Sequence, residues 1–223
     1  MSLGSDSNCD GTDALSEACD AAVAQGVVVV VAVGNAGPMS NTVGAPGCAH
    51  TVITIGASTD DDKVASFSSR GPTSDGRVKP DVLLPGENII SARAEGTSLG
   101  SGPVDAYYTS LSGSSMATPH GAGVVALLLA ARPELTPGEI KDIFKTTAID
   151  LEQNLNSQGA GNVDAFAAWK MAVSGSEPEP QPEPTPQPEP TPEPEPEPIP
   201  IPPQPGLGCL TVILKSIALI SVY

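Results

Sequence analysis

Gly113-Ser114-Ser115-Met116-Ala117-Thr118-Pro119-His120, followed by Gly121-Ala122-Gly123-Val124-Val125-Ala126-Leu127-Leu128-Leu129-Ala130-Ala131, is the stretch that decides the fold. A Gly-Ser-Ser turn passes into an apolar run too uniform for a surface helix, which predicts a helix buried on all sides. Ser115 then stands at the mouth of that helix, where free backbone N–H groups and the positive end of the helix dipole collect. A nucleophile whose reaction generates an oxyanion gains from such a position. Gly121 and Gly123 each cost roughly 1 kcal/mol in a helix interior relative to alanine, so close packing against another backbone is expected there. A buried helix with a serine N-cap, in any α/β domain, would carry the same stretch.

Composition bounds what surrounds it. The chain of 223 residues has length for one α/β domain with a real core, while its last quarter is not globular in character. A net charge of −16 and a pI near 4.2 leave no basic patch for nucleic acid. Aromatic residues are only 3%, so the core is built from closely packed Ala, Val and Gly. No amino-terminal apolar stretch with a basic flank is visible, and so no signal peptide is read.

Upstream of the decisive stretch, residues 12–25 read as a helix with Leu15, Ala18, Cys19 and Ala22 on its buried face and Gly26 closing it. Val27 to Val33 is a β-branched run of the kind buried on both faces of a parallel sheet. It leads into the turn Gly34-Asn35-Ala36-Gly37-Pro38, at the carboxyl end of a strand, where open α/β sheets bind ligands. Val52 to Gly56 is a further strand, followed by Asp60-Asp61-Asp62. Three carboxylates in a row suit Ca²⁺, but the EF-hand spacing is absent and an acidic run reads as solvated surface, so calcium is left without identifiable ligands and no metal site is assigned. A Cys9–Cys19 disulfide is conceivable, Cys19 reads equally well as a small buried thiol, and Cys48 is a third candidate partner. Without a C-x-x-C pair no zinc site is expected.

Downstream, Thr136-Pro137-Gly138-Glu139 is a capping box opening a helix to about Thr146. A last helix spans residues 165–173, with Trp169 on it read as a packing residue. From residue 176 to 205 proline recurs at nearly every second position among Glu, Gln and Thr, an extended polyproline II linker on the order of 90 Å long. Residues 206–223 are apolar apart from Lys215, and too short to span a bilayer, which takes about 20 apolar residues.

The stretch from Gly113 to His120 with its Gly-Ala-Gly continuation resembles the nucleophile motif of the subtilisin-like serine proteases (peptidase S8), which usually has Thr where Ser114 stands. The resemblance covers most of residues 2–173. It implies an α/β fold of three layers with a mainly parallel sheet, here lacking its amino-terminal strands, and makes residues 1–175 the carboxy-terminal part of a peptidase domain. By the same resemblance Ser115 is the nucleophile and Asn35 the oxyanion-hole residue. Ser2, Leu3 and Gly4 match the strand edge that pairs with a polypeptide substrate. Ala32, Val33 and Gly34, facing the segment Thr42 to Gly47 that includes Gly44, match the walls of the pocket for the residue before the scissile bond, which is read as roomy and apolar. Asp81 reads as structural.

The resemblance also shows what the chain does not supply. The family's catalytic order is Asp, His, Ser, so both partners of Ser115 would lie upstream of Ser2. His50 and His120 match neither, and both read as structural. The expectation is a serine endopeptidase by family whose isolated chain is inactive; the alternative is a non-catalytic peptide-binding remnant. Pro205-Gly206-Leu207-Gly208 and the apolar end resemble archaeal surface-sorting tails, although Leu207 departs from their Pro-Gly-Phe. That resemblance implies an extracellular or cell-surface location, with membrane or surface attachment through residues 206–223.

Overall fold

The β-branched runs pair in parallel through their buried middles, Val30 to Ala32 against Ile53 to Ile55, whereas Val27, read as part of the first strand, lies outside it and is 54% exposed. The computed structural model describes residues 1–5, 7–97 and 104–174, all within one compact unit. In chain order these residues form α1 (Ala14–Ala24), β1 (Val30–Ala32), β2 (Ile53–Ser58), β3 (Val82–Pro85), β4 (Ile89–Ala92), β5 (Tyr108–Leu111), α2 (Ser114–Ala131), α3 (Pro137–Thr147), β6 (Ala148–Ile149), α4 (Leu155–Gln158), β7 (Asn162–Val163) and α5 (Ala165–Ser174). Five strands make a sheet in the order β1-β2-β3-β7-β6, parallel except for β6 against β7, and β4–β5 is a separate hairpin.

Alternation along β1 sorts the layers. Val30 joins the core shared by α2, α3 and α5, whereas Val31 joins Cys19, Ala49 and Val52 under α1. Every residue of β2 is buried, as a strand covered by helices on both faces must be. This is the three-layer α/β architecture with a mostly parallel sheet. The first residue extends it: the Met1 ammonium donates to the Val30 carbonyl and the Ala32 N–H donates to the Met1 carbonyl at 3.0 Å, along the outer edge of β1.

Gly121 is where α2 meets the sheet. A Cβ there would lie 3.2 Å from Val30 Cγ1 and 3.3 Å from Ile55 Cδ1, so the close approach predicted for that glycine exists, against side chains of the sheet. Gly123 has nothing within 4 Å of the corresponding position. The expectation of a helix buried on all sides is therefore corrected. Ser114, Ala117, Thr118, Gly121, Val124, Val125 and Leu128 are buried, but Gly123 and Ala126 face outward and Leu127 is 59% exposed. Among the described residues, α2 is covered by the sheet and by α5, and its opposite face is left in water.

Two further expectations are corrected. In α1 the N-cap Asp13 accepts from Leu15 N and Ser16 N, so the helix begins two residues after Thr12, while Gly26 takes a positive φ of 86° and closes it as read. Its buried face, however, is Ser16 and Cys19, with Ala18 exposed and Leu15 37% exposed. Cys19 turns inward against Val31, and the disulfide joins Cys9 not to it but to Cys48, with Cα atoms 5.9 Å apart. Cys19 is a free buried thiol, and burial pushes its titration up. Trp169 packs by stacking on Phe166 and stays 41% exposed, while Ala168 and Ala172 form the buried face of α5. The capping box forms as read, with Glu139 N–H donating to Thr136 Oγ1 and Thr136 N–H to Glu139 Oε2. The linker at residues 176–205 and the tail at 206–223 lie outside the described residues.

A buried ion cluster ties α3 to the sheet. Asp81 meets Lys79 Nζ at 2.8 Å and Lys141 Nζ at 3.1 Å, and accepts from Thr54 N–H at 2.8 Å. Burial alone would raise the Asp81 carboxyl, but the two ammonium groups outweigh it and hold the carboxyl below its usual range. Burial brings Lys79 down to about 8 in spite of Asp81. Since Lys79 in the unfolded chain keeps its proton up to the ordinary lysine value of 10.5, the unfolded state binds more protons between those values, and this group makes stability rise with pH across that window. Removing the shared carboxylate strands two buried cations. Asp81→Asn is expected to cost about 3–5 kcal/mol in urea unfolding, and a loss below about 1 kcal/mol would show the cluster to be dispensable.

Candidate active site

The end of β1 and the start of α2 are knotted together by side-chain hydrogen bonds. Gly34 takes a φ of 107°, and a Cβ there would sit 2.8 Å from Ser69 Oγ, so only glycine turns the chain at this point without strain. The turn presents Asn35 to α2. Its Oδ1 accepts from Ser114 N–H at 2.8 Å and from Ser114 Oγ at 2.9 Å, while Gly34 N–H donates to Ser114 Oγ at 3.2 Å. With Oδ1 occupied, Asn35 Nδ2 is left as a donor beside Gly113; a Cβ on that glycine would be 3.4 Å from it.

Ser115 follows on the first turn of α2, half-buried. Its Oγ donates to the Ser2 carbonyl at 3.3 Å, and Ser2 Oγ donates to the Ser115 carbonyl at 2.9 Å. The segment that starts with Ser2 is held on its other side by residues 43–45. Ser5 N–H donates to the Ala45 carbonyl at 2.8 Å, Ala45 N–H to Ser5 Oγ at 3.1 Å, and Asn8 bridges Gly44. A side chain at Gly44 would run into the Ser5 carbonyl, which is why the strand edge can come so close.

These contacts enclose one pocket of about 100 Å³. It is lined by Ser2, Leu3 and Gly4 on one side, Ala32, Val33, Gly34 and Asn35 on another, and Gly44, Ser114 and Ser115 at the remainder, with Ser5. All nine residues singled out in the sequence thus lie around a single space. Ser5 and Ser114 were missed. Ser114 carried the only available signal, as the hydroxyl residue within the Gly113 to His120 stretch, next to Ser115. Ser5 had none, because its place depends on a contact 40 residues away.

The chemistry open to this site is attack by the Ser115 hydroxyl on a carbonyl, with Asn35 Nδ2 and the N–H groups opening α2 as donors to a developing negative oxygen. A proton acceptor for Ser115 is the part the described residues do not provide, since a backbone carbonyl cannot serve as the base. His120 Nδ1 is engaged with the Met116 carbonyl at 2.9 Å, and His50 Nδ1 lies 3.4 Å from Asp20 Oδ2 on the surface. Neither bonds to Ser115. The acidic run is exposed, with Asp62 accepting from Asn162 Nδ2 and Asp61 near Lys63. Cys9, Asp13 and Cys48 converge closely enough for a cation, but the two sulfurs are bound to each other.

The disulfide and Arg77 both clamp the pocket's far wall. Arg77 donates to the carbonyls of Asp10 and Cys48, next to the Cys9–Cys48 bond, and Cys48 packs with Val33, Val43 and Ala45. Bridging a sequence separation of 39, the bond is expected to contribute about 4 kcal/mol by loop closure. Reduction should lower the unfolding free energy by that amount and speed amide exchange at Ser5 and Ala45; unchanged exchange there would show that the clamp does not hold the wall.

The Subtilase family profile matches residues 1–163. Serine protease AprX of Bacillus subtilis is 46% identical over 180 residues, covering 74% of this chain and 41% of the relative. Subtilisin DY of Bacillus licheniformis is 38% identical over 170 residues, 75% of this chain and 55% of the relative. Among solved structures, a protease of Pseudoalteromonas arctica PAMC 21717 superposes with a TM-score of 0.63 at 32% identity, over 77% of this chain and 50% of that one. The chain therefore spans about half the length of the proteins it matches.

Proposed function

The chain belongs to the Subtilase family of serine peptidases, and we propose that Ser115 is a peptide-cleaving nucleophile in an active site this polypeptide carries in part. The observation that carries the reading is the hydrogen-bonded knot of Gly34, Asn35 and Ser114, which holds an amide donor next to the serine at the mouth of α2.

A substrate in extended form pairs its backbone with Ser2 to Gly4, which reads many sequences alike because it binds main-chain groups. The side chain before the scissile bond enters between Ala32-Val33-Gly34 and Gly44, a space without charged lining that favours apolar residues. Ser115 Oγ attacks the carbonyl carbon, and the oxygen that takes up the negative charge is held by Asn35 Nδ2 and the Ser115 N–H. Collapse expels the amine and leaves an ester on Ser115, which water then hydrolyses. The base that takes the Ser115 proton, and the carboxylate that orients it, come from a segment preceding Ser2 in a longer polypeptide. The isolated chain accordingly does not turn over.

The absence of an imidazole bonded to Ser115 among the described residues favours, as a second reading, a peptide-binding role without cleavage. The Cys9–Cys48 disulfide supports a place outside the cytosol, where such bonds persist. Attachment to a surface through residues 206–223 rests on the sequence alone.

Two measurements test the proposal. A fluorophosphonate probe should leave the isolated chain unlabelled, and rapid labelling that Ser115→Ala abolishes would reveal a base within it. In the polypeptide extended upstream to the length of its relatives, Asn35→Leu should lower kcat by ~10²–10³, a magnitude established for a subtilisin, with KM nearly unchanged. A kcat that survives this substitution removes Asn35 from the mechanism.

A further inference from the structure

A second groove, of about 560 Å³, shares no residue with the pocket that Ser115 lines. Its size falls among small-molecule sites, which run from roughly 300 to 1,000 Å³. Pro38, Met39 and Pro72 supply its apolar lining, and Arg70, Asn156 and Ser157 are among its polar residues. Three buried side-chain polar atoms lack a hydrogen-bond partner among the described residues: Asn8 Oδ1, Arg70 Nε and Asn156 Oδ1. Two of the three thus belong to residues of this one groove. Native structures leave few such atoms, and each that persists has a cause.

The rest of the Arg70 guanidinium is unclaimed as well. It is half-buried and makes no hydrogen bond or ion pair among the described residues, although the chain carries 26 Asp and Glu residues. Arginine cannot shed its charge to relieve this. The backbone around it is fixed. Arg70 N–H donates to Thr42 Oγ1 at 2.9 Å, Thr42 N–H donates to the Arg70 carbonyl at 3.0 Å, and Gly71 N–H donates to the Asn156 carbonyl at 2.8 Å. Asn156 Oδ1 therefore lies one residue along from Arg70, and a Cβ on Gly71 would be 2.8 Å from it. Both orphan atoms are closed to water, but no hydrogen bond among the described residues holds either side-chain end, so both can turn into the groove.

Arg70 only donates and Asn156 Oδ1 only accepts, so one ligand group must offer an acceptor and a donor side by side. A carboxylate accepts from two guanidinium N–H groups at once. We infer that the groove binds an α-carboxylate together with the N–H on the same carbon, the group shared by free amino acids and the carboxyl termini of peptides. Arg70 takes the carboxylate and Asn156 accepts from the N–H. An apolar ligand side chain lies on Pro38, Pro72 and Met39, which is 71% exposed without it. The site works independently of Ser115.

Titration calorimetry of the full chain with four probes tests the inference: N-acetyl-L-leucine, L-leucine, N-acetyl-L-leucinamide and isocaproate. The first two should bind saturably at millimolar concentration or below, and the tighter of them identifies a peptide end or a free amino acid as the source. The amide, which has no carboxylate, should bind about tenfold more weakly or not at all. Isocaproate, which has no N–H, should also bind more weakly than either. Arg70→Gln and Asn156→Ala keep the backbone bonds, and with far-UV circular dichroism matched to the native chain both should weaken binding. Asn35→Leu, which alters the Ser115 pocket, should leave it unchanged. Absence of saturable binding to the native chain, or equal binding of the acid and its amide, would overturn the inference. So would binding that Arg70→Gln spares, or that Asn35→Leu abolishes, since the ligand would then sit in the Ser115 pocket.

Discussion

Asn35 can be useful only because Ser114 holds it. One side-chain oxygen accepts two hydrogen bonds from Ser114, and the Ser114 hydroxyl in turn accepts from Gly34, so the end of β1 and the start of α2 share one set of bonds. Each such bond is worth about 1 kcal/mol net, but leaving any of these groups unpaired beside buried Ser114 costs more. The arrangement is therefore self-enforcing. It fixes the amide of Asn35 beside Gly113, on the pocket that Ser115 also lines, and it does so before any ligand arrives.

The rest of the molecule serves that junction. Parallel strands bring the carboxyl end of β1 to the edge where α2 begins, and Gly121 lets the helix settle onto Val30 and Ile55. Lys79, Asp81 and Lys141 anchor α3 to β2 and β3 on the same sheet. On the far side of the pocket the Cys9–Cys48 bond and Arg77 keep the strand edge of Ser2 to Ser5 against residues 43–45. Among the described residues the buried charges are thus few and paired, Lys79 with Asp81.

Much of the site could be read beforehand because it is local. Gly113 to His120, the valine run with its Gly-Asn turn, and the capping box at Thr136 each contain their own cause within a few residues. What escaped was set by distant neighbours. Leu15 and Ala18 have helical spacing, yet Cys19 and Ser16 face the sheet, because the position of α1 over Val31 and Val52 decides which side turns inward. The apolar run of α2 signals burial by composition, whereas coverage depends on which elements pack on each side, and Leu127 remains in water. Ser5 and its contact with Ala45 had no sequence signature at all.

The central claim is that Asn35 and Ser115 share a space shaped for a peptide carbonyl. A crystal structure of the chain with a product peptide, extended and ending in an apolar residue, tests it most directly. The account predicts the peptide backbone paired with Ser2 to Gly4 and a terminal carboxylate oxygen within hydrogen-bond distance of both Asn35 Nδ2 and Ser115 N. A peptide bound elsewhere, or an Asn35 amide turned away from Ser115, would contradict it.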